Sequence, residues 1–101
     1  MRDTFKINFY DEYYEIYLIE EKYSNGRLAI RAICDNETWG VLTVNIPEVE
    51  LEEDEIIVKT YSENKEWATQ LIQKLPETFI PTGKTVKTGF VECPIYKYVR
   101  N

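Results

Sequence analysis

The chain contains no histidine. That removes the commonest general base and the commonest metal ligand together. Ser-His-Asp and Cys-His nucleophile arrangements are excluded with it. Glycine is scarce as well. Four residues, at 26, 40, 83 and 89, are too scattered to build a GxxxxGK[ST] or GxGxxG phosphate loop. The two cysteines, Cys34 and Cys93, form no CxxC pair that would hold zinc. Two distant cysteines in a reducing cytoplasm are expected to be free and partly buried. No apolar run reaches roughly 18 residues, so no membrane-spanning helix is expected. The first residues, MRDTFKINF, lack the apolar stretch of a secretory signal. The expectation is a cytoplasmic protein with no cofactor, no metal site and no catalytic residue.

What is present points to a folded, acidic globule. The 101 residues suit one domain, 1–101, by the usual range of roughly 100–200 residues per domain. Hydrophobic residues make up 44% and charged residues 30%, too apolar a mixture for a disordered chain. The net charge is −6, from 12 Lys plus Arg against 18 Asp plus Glu. Such a surface repels nucleic acid and anionic membrane and favours basic partners.

Alternation of apolar and polar residues predicts strands at Thr4–Tyr10, Tyr13–Tyr23, Arg27–Cys34, Thr38–Ile46 and Ile56–Thr60. The pair Asn25-Gly26 between two such runs is a type I′ hairpin signal. In this reading Phe5, Ile7 and Phe9 share a face, as do Tyr14, Ile16 and Leu18. Leu28, Ile30 and Ala32 face the core, and Leu42, Val44 and Ile46 share one face of the fourth strand. Trp39 flanks a turn and is expected at the surface. Ser62–Leu75 carries Trp67, Ala68, Leu71, Ile72 and Leu75 at helical spacing, with Ser62 or Asn64 as N-cap and Pro76 as stop. Thr85–Tyr98 reads as one last strand, broken near Gly89 and Pro94. The expected fold is α+β: an antiparallel meander of five to six strands with one helix (62–75) packed on one face.

The most distinctive segment is acidic. Glu48, Glu50, Glu52, Glu53, Asp54 and Glu55 place six carboxylates in eight positions, with Val49 and Leu51 as apolar anchors. The run has no Gly, so it does not build a calcium loop of the D-x-D-x-D-G type. Two readings stand side by side. One is a solvated loop that keeps a sheet edge soluble. The other is a presented negative strip, whose carboxylates stand in for phosphates spaced one charge per ~1.7 Å of duplex axis. Asp11, Glu12, Glu15, Glu20 and Glu21 extend that face if the first hairpin lies nearby. Carboxylate-pair catalysis is formally open, but it needs a pocket that shifts a pKa, and none is expected in so small a domain.

Eight tyrosines are many for this length. Most are accounted for by cross-strand packing. Tyr13 and Tyr17 fall on the face opposite the core residues and are candidates for a partner surface.

The stretches NGRLAIRAI, LTVNIPEVELEEDEIIVKTYSEN and PTGKTVKTGFVECPIYKY resemble a family of small proteins of unknown function. That family recurs on phages, plasmids and integrated mobile elements of Firmicutes and related bacteria. The likeness covers nearly the whole chain and brings no catalytic residue with it. It implies an anti-CRISPR-type inhibitor, a DNA mimic that occludes the basic nucleic-acid-binding surface of an effector nuclease. The alternative is an accessory interaction module, a homodimer through an edge strand and the Tyr-rich hairpin.

Overall fold

The computed structural model describes residues 4–100. Strands β1 (Phe5–Phe9), β2 (Glu12–Lys22), β3 (Leu28–Cys34) and β4 (Glu37–Val41) form an antiparallel sheet in that order. Strands β5 (Glu55–Ile57), β6 (Phe79–Thr88) and β7 (Val91–Tyr98) form a second one, ordered β5-β7-β6. The helix α1 (Asn64–Lys74) lies between β5 and β6 in the chain. The α+β class with antiparallel sheets and one helix therefore holds. The five-to-six-strand meander does not: among the described residues there are four strands in one sheet and three in the other. Among the described residues no helix is long and apolar enough to cross a membrane.

The differences trace to turns. Tyr10 and Asp11 (φ 51° and 66°) and Asp35 and Asn36 (φ 52° and 64°) take positive φ at both central positions of two-residue hairpin loops. That is type I′ geometry, whose twist matches the flanking strands. At Asn25-Gly26 only Gly26 is left-handed, with φ 87°. Tyr23 N–H donates to Arg27 C=O at 2.8 Å, and Gly26 N–H to Tyr23 C=O at 2.9 Å. The hairpin is thus a three-residue loop ending in a left-handed glycine, not the expected type I′ turn. The segment 85–98 is not one strand. Gly89 (φ 61°) followed by Phe90 at negative φ turns the chain between the paired residues Thr88 and Val91. A glycine at the first central position is the type II′ signature.

The expected strand 38–46 also divides. Leu42 N–H still donates to Ile30 C=O of β3 at 2.8 Å, but Lys59 N–H donates to Leu42 C=O at 2.7 Å and Val44 N–H to Ile57 C=O at 3.0 Å. With the bridge between Thr43 and Val58, this stretch joins the two sheets.

The main core is built from Ile7, Ile16, Ile30, Ala32 and Leu42 of the first sheet and Ile56, Val58 and Phe79 of the second. The helix contributes Trp67, Ala68 and Leu71. A second, smaller cluster around Ile57, Cys93 and Ile95 lies on the other face of the β5-β7-β6 sheet. Val44 and Ile46 pack there, not with Leu42 as expected, because the chain changes sheets between them. Trp39, expected at the surface, is half-buried. The β3–β4 register passes from Ala32 opposite Gly40 to Ile33 opposite Thr38, so Trp39 is the extra residue of a bulge. Bulges re-aim side chains. Here Trp39 packs on the core, with Phe9 at 5.3 Å and Tyr14 at 4.8 Å between ring centroids.

The helix is fastened at both ends of the first sheet. Asn64 is buried, and its Nδ2 donates to Val41 C=O of β4 at 2.7 Å. Neither Ser62 (φ 56°) nor Asn64 is the N-cap. That position is Glu63, which makes no side-chain capping bond. On the far side the Gln70 amide accepts from Asn8 N–H of β1 at 2.9 Å and donates to Asn8 C=O. The helix lies so close to β4 that a Cβ at Gly40 would meet Trp67 Cζ2 at 2.9 Å. Gly40→Ala is therefore expected to destabilise the fold by about 1–3 kcal/mol through overpacking. A urea titration followed by tryptophan fluorescence measures it, and an unchanged midpoint would contradict this packing.

Candidate functional site

The acidic run becomes a loop folded over the outer face of the second sheet. The chain leaves the bridge at Thr43, and Val49 and Leu51 enter the second cluster with Val44, Ile46, Tyr61, Val86 and Val91. Residues alternate, so Glu48, Glu50 and Glu52 point to solvent, followed by exposed Glu53 and Asp54. The anchor role expected of Val49 and Leu51 is what the packing shows.

A second fastening was not visible in the sequence. Arg27, in the β2–β3 hairpin, reaches across to the loop. Its Nη1 donates to Ile46 C=O at 2.8 Å, and its Nη2 donates to Val49 C=O. Asn25 Nδ2 adds a bond to Asn45 Oδ1 at 3.2 Å. A guanidinium presents donors in a fixed fork, so two carbonyls held by one Arg fix the loop's path as well as its position. The backbone under the carboxylates is therefore held from both sides, by apolar anchors below and Arg27 at the rim.

Glu55 does not belong to the presented set. Its side chain is 4% exposed and meets Lys84 Nζ of β6 at 2.6 Å. Its Oε1 also accepts from Glu52 N–H at 2.9 Å. The reason is strand geometry: Glu55 begins β5, and all three residues of that strand are buried. The Lys84 ammonium, then the Glu52 amide, hold its carboxyl below the ordinary value of 4.5. Glu55 locks the loop to the sheet and leaves five exposed carboxylates, 48, 50, 52, 53 and 54. Asp54 is itself 3.7 Å from Lys97, a half-exposed pair that tempers the strip at one end.

Of the first hairpin's acids, Glu20 and Glu21 are paired and do not extend the acidic face as free charge. Glu20 pairs with Arg100 at 2.7 Å and accepts from Tyr98 O–H at 2.9 Å. Burial, then the neighbouring Glu20, pushes the Tyr98 phenol up to about 12. Glu21 pairs with Arg31 at 2.8 Å. Asp11 and Glu12 sit at the opposite end of β2, roughly 30 Å away along the strand at about 3.3 Å per residue. There Asp11 lines a separate shallow cleft with Glu66 and Gln70. Beside the loop, an open cleft of about 340 Å³ sets Glu52 and Glu53 against Lys22, Arg27 and Arg100. The strip is thus acidic on its outer side and bordered by cations on its inner side.

Tyr13 and Tyr17 are not part of the strip either. Both lie on the outer face of the first sheet, opposite Asn8 and Ile33 respectively. Tyr13 is 68% exposed, with Lys6 Nζ 5.8 Å from its ring centroid. Tyr17 is half-buried. They make a surface of their own. Cys34 and Cys93 are free, and burial pushes both thiols up, away from the reactive thiolate. Among the described residues no group of three or more Cys, Asp or Glu converges as a metal site would require.

The Glu55–Lys84 lock makes a pH prediction. A carboxyl with a lowered folded pKa stabilises the fold above its unfolded value, and that contribution is lost as pH falls through the folded value. Stability should therefore drop with acid below about pH 4.5, the ordinary carboxyl value. Glu55→Gln should cost about 1–3 kcal/mol near neutrality and flatten the acid limb. Denaturation midpoints of both proteins across the acid range check it. Parallel curves would show that Glu55 is not the group responsible.

Comparison with known proteins gives no match to this chain, neither a family model nor a curated protein nor a solved structure.

Proposed function

We propose that the protein is a non-enzymatic binding protein that docks the outer side of its 48–54 loop onto a basic surface. The surface that fits is one that otherwise holds nucleic-acid phosphates. The observation that carries this reading is a contrast within one short segment. Glu55 is buried and neutralised by Lys84, whereas the carboxylates of Glu48, Glu50, Glu52 and Glu53 are exposed and make no ion pair among the described residues. They stand on a backbone gripped by Arg27. A solvated loop needs no such grip. Holding like charges on a fixed backbone means that ordering has already been met before a partner arrives, which is what preorganised recognition requires.

The physics of the complex follows from the charges. Lys and Arg side chains that line a phosphate groove would pair with the carboxylates instead. Long-range attraction to a chain of net charge −6 would speed the encounter. The resemblance to mobile-element proteins makes a host defence nuclease the first partner to try, with inhibition by groove occlusion as the consequence. Tyr13 and Tyr17, on the other sheet, are a secondary contact surface in this reading.

The test is a binding assay against a panel of purified defence nucleases, in increasing salt. Affinity should fall steeply with salt, since exposed charges are screened within about 10 Å at 0.1 M. The triple variant Glu50→Lys, Glu52→Lys, Glu53→Lys should lower the association rate by roughly tenfold or more. Arg27→Leu removes no loop carboxylate but frees the loop backbone, so it should act mainly on the dissociation rate. An inhibitory activity untouched by the triple reversal would sink the proposal.

A further inference from the structure

The two sheets treat their outer edges differently. The β1 edge is closed, because the Gln70 amide occupies both the N–H and the C=O of Asn8 that face away from β2. A side-chain amide there blocks a further strand. The β6 edge has no such cover. Pro94 C=O of β7 accepts from Val58 N–H on the β5 side at 3.0 Å. Its cross-strand neighbour Thr85 therefore turns its own N–H and C=O away from β7, and by alternation so does Lys87. Neither residue's backbone has a partner on that side among the described residues.

The same strand has a large exposed hydrophobic residue at each end. Ile80 is 40% exposed, and Phe90, just past the other end, is 108% exposed. The turn does not require Phe90. A type II′ loop needs its glycine at the first central position, which is Gly89, and leaves the second free.

We propose that β6 pairs antiparallel with β6 of a second copy about a two-fold axis at Val86. In that register Thr85 of one copy lies opposite Lys87 of the other, and the reverse. The four free backbone groups on each edge then satisfy each other. Antiparallel pairing also exchanges the strand ends. Phe90 of one copy lands beside the Pro81–Thr85 irregularity and Ile80 of the other. Lys87 lies directly opposite Thr85 and Lys84 opposite Thr88, so no lysine is directly opposite a lysine. The two Lys87 are diagonal neighbours on the solvent-exposed side of the pair, where salt screens them. The pairing is isologous, as closed two-fold association demands. It moves self-association away from the tyrosine-rich hairpin, whose edge is the one Gln70 closes. The contact is a single strand pair with one aromatic anchor per copy, at the small end of specific interfaces, so dimerisation is concentration-dependent. It stands apart from docking by the 48–54 loop, and salt separates the two. Screening weakens the docking but relieves the mutual repulsion of two acidic chains.

Sedimentation equilibrium over a range reaching sub-millimolar concentration tests it. The mass should rise from 12.0 kDa toward twice that value, and added salt should not reverse the rise. Phe90→Ser removes a side chain that is fully exposed in the single chain, and should weaken the dimer roughly tenfold or more. Thr85→Pro removes an outward N–H and should abolish the dimer, with an unchanged near-ultraviolet circular dichroism spectrum as the check on folding. Hydrogen exchange at Thr85 and Lys87 should slow as concentration rises. A mass of one chain throughout, or variants that dimerise like the parent, overturns the proposal.

Discussion

Leu42 is hydrogen-bonded to both sheets at once. Its N–H donates to Ile30 of β3 and its C=O accepts from Lys59 beyond β5, at 2.8 and 2.7 Å. Its side chain is fully buried in the core that the two sheets share with the helix. A strand that changes sheets gives a single backbone two sets of neighbours, a device that builds corners in β proteins. Much else follows from this corner. It brings Ile56 and Val58 against Ile7, Ile16 and Ile30, and so makes one core out of two sheets. It also sends the chain from Thr43 out onto the opposite face of β5, where the acidic loop forms.

The loop shows how one charge pattern divides by position. Six acids in a row of eight look equivalent as letters. Five are exposed, while the sixth begins a strand with no solvent on either face. A buried carboxylate without a partner would be costly, and Lys84 with the Glu52 amide removes that cost. Structural and presented carboxylates thus lie side by side. The neighbouring pairs Glu20–Arg100 and Glu21–Arg31 also tie elements together, and with Asp54 beside Lys97 they leave Glu48, Glu50, Glu52 and Glu53 as the concentrated unpaired charge among the described residues.

Edges receive equally uneven treatment. Exposed strand edges template association, and proteins blunt them with charge, proline, bulges or cover. β1 is covered by α1 through Gln70. β6 has Pro81, a register irregularity and Lys87, which shorten its open length without closing it. The helix explains the asymmetry. It packs along β1 and reaches β4 through Asn64 and Trp67, so it protects the first sheet only.

Local pattern was enough for much of this. Period-two alternation located β1, β2 and β3 and their core faces, because side-chain direction in a regular strand depends on parity alone. Helical spacing located α1 and its buried face, and the Val49–Leu51 alternation identified the loop's anchors. The Gly89-Phe90 turn was legible only as a break, since a glycine signals permissive φ but not which turn will use it. Trp39 was misplaced because a bulge shifts parity, and a bulge is decided by cross-strand fit. Glu55, Arg27 and Gln70 act on residues far away in the chain, through contacts that no local spacing encodes. The sequence by itself determined an acidic α+β domain with its carboxylates concentrated in one segment. Only the tertiary structure decided which of those carboxylates face solvent, because burial belongs to neighbours brought in from β6, β7 and the β2–β3 hairpin.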